Sequence, residues 1–514
     1  VPENTPEALP VPPAFRRRRV TRTAAAIASS GLVVGLGSVA ATPAIAATTD
    51  DCDTGNTVTA PGDDAADIQV LLDADTAIVC LAGAFTLSTP LTFDHDLTLF
   101  GLAGAQLDGD NVTQILAGSA GADLVLQNLA VLNGSGVDGG AVYVEGDIEV
   151  YNSRFEGNVA SDDGGAIYHD GSGFAIIEGS TFTDNSADDF GGAIYGEDVI
   201  AVGSTFSDNS AFFGGALYAA GSAQFESTFV GNDAFVGGAV VAQDYSASLG
   251  STFVGNTAEE DGGAISSYGL AYVLNSTFVE NSAAGIGGAI TSAYAQIGLS
   301  TFLDNEANTS DEGERGDAVL VYEDDIDSSF IVGNIFAGSR SFPQLGAIED
   351  GTWEDRGGNV FSTSQATEVA IGTAASSTLF GRSVAQIFGP GASLAANGGA
   401  TDTVILTPGS PAVDIVPEDE FLDMTSADVS ATFSAVDAAS RFSPVADTPE
   451  EDQRGEPRVG LRDAGAVELQ ADELGGSELA ATGASGASAL GWLGAMLVAL
   501  GSLVLLARGR RTTV

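Results

Sequence analysis

Apolar and polar positions alternate in short bursts along most of the chain, and between Gly139 and Asn305 the bursts fall into step. Runs rich in Val, Ile, Thr, Phe and Tyr are separated by Gly, Asn, Asp and Ser, the pattern of strands of four or five residues joined by tight turns. Phenylalanine returns at Phe155, Phe182, Phe206, Phe229, Phe253, Phe278 and Phe302, and three residues after each comes an asparagine, from Asn158 to Asn305. Glycine pairs keep the same time from Gly139-Gly140 to Gly287-Gly288, so the period lies between 23 and 27 residues. One unit of two or three short strands cannot bury its own apolar face. Stacked units can, because each strand pairs in parallel with its copy one rung on, and the pattern therefore predicts a parallel β-helix. The phenylalanines are expected to pile into an interior aromatic column. Each asparagine is expected at a turn, in left-handed backbone, with its amide bonded to the amide of the next rung. The glycine pairs are expected to supply positive φ and to clear the approach of successive coils.

Outside this stretch the pattern weakens without vanishing. Residues 64–73 (DAADIQVLLD) place Ala66, Ile68, Val70, Leu71 and Leu72 mainly on one side of a short helix, which suits a cap over the open first rung. FTLSTPLTF, LTLFGL and DLVLQNLAVL predict two or three irregular early rungs, and Gly316 to Val319, Gly333 to Phe336 and Gly357 to Phe361 predict faded late ones. The whole is read as an all-β chain, a β-solenoid of roughly twelve rungs with a short N-terminal capping helix and a membrane-spanning helix at the C-terminus of the precursor. Its divisions are 1–46, a signal peptide; 47–78, the cap; 79–365, the β-helix; 366–470, a C-terminal anchor-associated module; 471–488, a linker with a sorting motif; and 489–514, a transmembrane helix with a basic tail.

Three resemblances add to this reading. Gly164-Gly165-Ala166-Ile167 with Phe182-Thr183-Asp184-Asn185, repeated to Gly287-Gly288-Ala289-Ile290 with Phe302-Leu303-Asp304-Asn305, resembles the polymorphic outer-membrane protein repeat over about 170 residues. That resemblance implies a right-handed β-helix of the kind found in surface adhesins and autotransporter passengers, and only the passenger-like part is shared. The order of Leu394 to Gly399, Leu406 to Asp414, Asp452 to Gly455 and Asp463 to Glu468 is similar to a choice-of-anchor module that follows bacterial surface β-helices. Leu479-Ala480-Ala481-Thr482-Gly483, then an apolar run from Ala489 to Ala507, then Arg508, Arg510 and Arg511, resembles a sortase sorting signal with Leu-Ala-x-Thr-Gly in place of Leu-Pro-x-Thr-Gly. It implies cleavage between Thr482 and Gly483 by a sortase and transfer to cell-wall peptidoglycan on a Gram-positive, actinobacterial surface. The alternative is a plain C-terminal membrane anchor.

At the other end, Arg16 to Arg19, an apolar stretch from Thr23 to Ala41 and Ala44-Ile45-Ala46 before Ala47 have the order of an export signal with its cleavage site. Cys52 and Cys80 are the only cysteines, and an even count in an exported chain argues for a disulfide between them, two separate buried thiols being the alternative.

Charge narrows the partners. The 17 basic residues, all arginine, stand against 70 acidic ones, a formal net charge of −53. Such a surface repels nucleic acid and anionic lipid, so neither is an expected partner, and the membrane is met only through the C-terminal helix before sorting. The acidic surface would attract Ca²⁺, though no loop has a Ca²⁺-site spacing, so no metal residues are assigned and no cofactor is expected. His95 and His169 are too far apart in sequence to suggest a catalytic pair.

Candidate chemistry lies at the turn before each glycine pair. Acidic groups stand there at Asp138, Asp162-Asp163, Asp188-Asp189 and Glu259-Glu260-Asp261. They are read as solvated turns, with a carboxylate row serving a glycoside hydrolase as the alternative. A lyase is disfavoured, since Arg154 is the only basic side chain in the motif rungs. Phe190, Phe212, Phe213 and Phe235 occupy the same turn in three consecutive repeats and form a candidate binding strip. The clustered charges Asp452, Arg454, Arg458 and Asp463 are read as a structural ion-pair network. The sequence reading is thus a surface protein that recognises an unknown glycan or protein ligand, with no catalytic residues assigned, ahead of a polysaccharide-cleaving enzyme or a passive spacer on the same scaffold.

Overall fold

The computed structural model describes residues 49–53, 55–60, 64–119, 121–171, 173–308, 316–322, 329–338, 344–347, 353–362, 371–397, 399–416, 452–454, 456, 458 and 463–470. The signal peptide, the sorting motif from Leu479 to Gly483 and the C-terminal span lie outside the described residues, as do Ala44, Ala46 and Ala47. Among the described residues no helix is long and apolar enough to cross a membrane.

Two parallel sheets of nineteen and twelve strands run along a β-solenoid of about twelve turns, and a third of eight strands covers its middle from Ser135 to Ala307, all counted among the described residues. A central rung shows the plan. Ile194–Val202 belongs to the broad sheet, Thr205–Ser207 to the second and Ser210–Phe213 to the short third. Register is kept residue for residue: Thr205, Phe206 and Ser207 pair with Thr228, Phe229 and Val230 of the next rung.

The Ser-Thr-Phe phrase follows from strand alternation, which sends successive side chains to opposite faces. Thr points out and Phe points in. The rings form an interior file from Phe155 through Phe302 to Phe336, Phe361 and Phe380, with neighbouring centroids 4.7 Å apart at the closest and 5.2 Å at the widest. The faded late rungs are therefore true continuations of the column. Serine makes a second file. Ser180 Oγ accepts the Ser153 N–H, the pattern repeats to Ser300, and Asn334 then Asn359 take over the position.

The asparagines are buried inside the turn and their side-chain amides form a ladder. Asn185 Oδ1 accepts both the backbone N–H and the Nδ2–H of Asn158, and each rung repeats this up to Asn305. The expectation of left-handed backbone at the asparagine is corrected. The positive φ belongs to the residue before it, among them Gly157, Asp184, Asp208, Gly231, Glu280 and Asp304. That residue turns the chain outward so that the asparagine can project inward. The glycine pairs divide their work: the first carries positive φ, 64° at Gly191 and 68° at Gly214, while a Cβ on the second, Gly215, would stand 2.2 Å from the carbonyl oxygen of Gly238.

At the N-terminal end, helix α1 spans Ala65–Leu72 and starts in a reciprocal cap between Asp64 and Asp67. It turns Ile68 and Leu72 into the core; Ala66 and Val70, expected on the same side, are exposed. The Gln69 side chain meets the edge of the strand Leu91–Phe93 as a neighbouring strand would, with Oε1 accepting the Thr92 N–H and Nε2 donating to the Thr92 carbonyl, both at 2.9 Å. Thr57–Thr59 pairs with Cys80–Ala82, and the Cys52–Cys80 disulfide closes this end with Cys80 buried against Phe100.

The later part of the chain folds back against the rod. Thr181, Thr205 and Thr228 are exposed or half-buried, whereas Thr252, Thr277 and Thr301 at the same repeat position are buried. Thr277 Oγ1 donates to Gln453 Oε1, Thr252 Oγ1 to the Asp402 carbonyl, and Thr301 Oγ1 accepts the Ala466 N–H. Beside them Ile387, Leu406, Val416 and Leu469 join Phe225, Leu274 and Leu303 in a second apolar cluster outside the coil. Of the charged group read as an ion-pair network, Asp452, Arg454 and Arg458 make ion pairs, while Asp463 is held by backbone N–H groups. Arg454 pairs with Asp452 at 2.9 Å and Arg458 with Glu468 at 3.3 Å, and the two Asp463 oxygens accept N–H bonds from Asp414 and Leu469.

Candidate recognition face

The residue immediately before each glycine pair forms one column, because the N–H of the first glycine in one rung donates to that residue's carbonyl in the next. Gly139 thus binds Asp163, Gly164 binds Phe190, Gly191 binds Phe213, Gly214 binds Val236 and Gly237 binds Asp261. The residue one step earlier forms a second column with Asp162, Asp189, Phe212, Phe235 and Glu260 on successive rungs. Strand alternation separates their fates. Phe213 and Val236 are buried, while Asp162, Asp189 and Phe212 are exposed, Phe212 to 45%.

The four candidate strip residues are brought together as two adjoining stacks. Phe190 lies 5.4 Å from Phe213 and Phe212 lies 4.6 Å from Phe235, ring centre to ring centre, with interplanar angles of 16° and 9°. Phe212 meets Phe213 edge-on at 4.9 Å and joins the two. The inner stack is tucked against a feature the sequence reading missed. Tyr143, Tyr168, Tyr195 and Tyr218 stack on the outside of the broad sheet at 5.5, 4.8 and 5.6 Å, and Phe190 packs 4.6 Å from Tyr218. The signal was present: tyrosine follows the glycine phrase in four consecutive rungs, and alternation places it outside when Ala and Ile go in.

Carboxylates rim this face. Tyr143 Oη donates to Asp170 at 3.2 Å, and burial together with the Asp170 charge pushes the phenol up to about 12. Asp163 Oδ1 accepts the Phe190 N–H at 3.2 Å; burial, and then the charges of Asp162 and Asp138, push its carboxyl up to about 7. Asp261 does the same for Ile286 at 3.0 Å and is raised by burial to about 6.

The turns read as solvated are so only in part, since Asp163 and Asp261 are buried, and the alternative carboxylate row is interrupted by Phe190, Phe213 and Val236 in one column and by Phe212 and Phe235 in the other. The row brings together Asp162, Asp163 and Asp189, each with an oxygen within 4.8 Å of the others. The sequence reading assigned no metal here, and these three are the residues that would hold a cation, with a second such group at Asp75, Asp94 and His95. Asp163 is engaged with the backbone of Phe190, and the carboxyl of Asp189 is raised by burial and then by its neighbour Asp162. Glycoside hydrolysis uses two carboxyls about 5–9.5 Å apart, whereas this group brings an oxygen from each of three carboxylates within 4.8 Å of one another, an arrangement closer to a cation cradle. Arg154 is paired with Glu156 on the outer face, and His169 is buried inside the coil, away from His95.

Three segments, residues 152–170, 179–197 and 250–268, match the Chlamydia polymorphic membrane protein repeat. Each begins shortly before a motif phenylalanine, so the match rests on the rungs that carry the interior column. No curated protein and no solved structure matches the chain.

Proposed function

We propose that this protein is displayed on a cell surface and acts as an adhesin-like recognition protein, with the stacked aromatic face as its working surface. The observation that carries this reading is the second set of rings. A solenoid whose interior already holds a continuous phenylalanine file has no structural need of an exposed Phe212 stacked on a half-buried Phe235, and exposed apolar strips on soluble surfaces mark interaction sites. The match to the polymorphic membrane protein repeat supports surface display, as does the disulfide, which suits an oxidising compartment.

Attachment to peptidoglycan by a sortase acting at Thr482-Gly483 is the further part of the proposal, and it rests on the sorting-signal resemblance alone. Cell fractionation of a Thr482→Ala variant tests it, with transfer from the wall fraction to the membrane as the expected result. Recognition is tested by probing arrays of glycans and matrix proteins with the exported chain freed of its C-terminal span. Binding that disappears in Phe212→Ser/Phe235→Ser, with no change in glycan mass, is expected. Cleaved glycan overturns the reading in favour of an enzyme.

A further inference from the structure

The outer column has an order that specifies more than stickiness. On consecutive rungs it reads Asp189, Phe212, Phe235 and Glu260, so a carboxylate stands at each end of a two-ring apolar step. Rungs repeat at about 4.8 Å, which places Glu260 roughly 14 Å along the rod from Asp189 with the middle of the ring pair roughly 7 Å from either. An extended peptide presents alternate side chains on one face at about 6.8 Å intervals. Positions i, i+2 and i+4 of such a peptide therefore fall on the first carboxylate, the ring pair and the second carboxylate.

We propose that the partner of this face is an extended peptide segment with the pattern basic–x–apolar–x–basic, laid along the rod axis. The proposal rests on the recognition reading given above and names the chemistry of its ligand. The two basic side chains pair with Asp189 and Glu260, and the apolar one covers Phe212 and Phe235. Charge favours such a partner over every other peptide class, since the chain carries no lysine and a formal net charge of −53, and the tyrosine stack beside the column is rimmed by Asp138, Asp163 and Asp170. A field of that sign speeds the approach of a basic segment, and the spacing selects among basic segments.

The test titrates three peptides into the full-length protein held in detergent at physiological salt: Ser-Arg-Ser-Leu-Ser-Arg-Ser, a scramble with adjacent arginines, and a form with glutamate for arginine. The ordered peptide is expected to bind at least about tenfold more tightly than the scramble, and the acidic form not at all. The preference disappears in Asp189→Asn/Glu260→Gln and in Phe212→Ser/Phe235→Ser. It survives in Asp184→Asn/Asp208→Asn, which removes the same charge from exposed turns elsewhere on the rod. Equal affinity for ordered and scrambled peptides, or equal losses in the two acidic double variants, shows general attraction to a polyacid and overturns the proposal. The array separates the two levels. Strip-dependent binding of a glycan without any peptide preference rejects the peptide and keeps recognition, and no strip-dependent binding of any probe rejects both.

Discussion

Asn232 Nδ2 donates to Asn256 Oδ1 at 2.9 Å inside the coil, and Asn232 Oδ1 in turn accepts the N–H and Nδ2–H of Asn209. With the second Nδ2 proton on the Phe206 carbonyl, all four hydrogen-bonding positions of this buried amide are filled. Asn232→Ala strips partners from the Asn209 backbone and from Phe206 at once, and each buried group left unpaired costs about 1–3 kcal/mol. The expected result is a markedly lower urea midpoint with faster amide exchange in the rungs on both sides. Asn232→Asp is expected to be worse than Ala, because a carboxylate offers no donor and adds buried charge. A midpoint shift no larger than that of an exposed asparagine variant contradicts the ladder.

The glycine pair makes a separate prediction, because its members act by different physics. At Gly215 a Cβ meets the Gly238 carbonyl oxygen at 2.2 Å, and the clash is with backbone, which has nowhere to go. Gly215→Ala is expected to prevent soluble expression of the folded rod. Gly203 also has positive φ, 54°, but an added Cβ meets nothing within 4 Å. Gly203→Ala is expected to cost about 1–2 kcal/mol of backbone strain and still fold, as judged by circular dichroism and melting.

What was legible in the sequence is what points inward. Phe206, Asn209 and Gly215 each meet their own copy one rung away, so identity repeats where packing repeats, and the period exposes them. Asparagine's tolerance of left-handed φ points to the wrong backbone here, because its amide is needed inside and the preceding residue, often Gly or Asp, takes the turn. The late rungs show the opposite limit. Thr252 and Thr277 read the same as Thr205 and Thr228, and nothing local reveals that Gln453 will cover one set and leave the other in solvent. Such contacts join residues some two hundred positions apart and carry no period. The face formed by Phe212, Phe235 and the tyrosine stack was half legible: the phenylalanines break a repeat and draw notice, while the tyrosines obey it.

The disulfide is expected to act locally. Cys52 and Cys80 close a loop of 28 residues at the capped end, for which chain entropy gives roughly 3 kcal/mol. In a solenoid each rung contacts only its neighbours, so that stabilisation is felt most where the crosslink sits. Cys52→Ser/Cys80→Ser is expected to raise amide exchange in Thr57–Thr59, in α1 and in Ile78–Ala82 while leaving Phe253 to Phe302 protected. Uniform deprotection along the rod contradicts this local action and makes the cap the nucleus of the whole fold.

Acidity is expected to stabilise the folded rod. Asp163 and Asp261 have carboxyls raised to about 7 and about 6 from an ordinary value of 3.8, so the folded state holds their protons more tightly than the unfolded chain does. Their contribution is fully present below pH 4 and is lost as the pH rises through 6 and 7. Around Asp163 stand Asp162, Asp138 and Asp189, all of the same sign, and the Phe190 N–H is the one group opposing them. Protonation of carboxylates throughout so acidic a chain acts in the same direction, so the site's share is isolated with Asp163→Asn, which keeps an oxygen for the Phe190 N–H and removes the titration. Melting temperatures at fixed ionic strength are expected to be higher at pH 5 than at pH 8 in both proteins, with the smaller difference in the variant and the variant at least as stable as the parent at pH 8. A parent that melts higher at pH 8 refutes the sign. A variant with an undiminished pH difference removes Asp163 from the account, leaving the general charge to carry it.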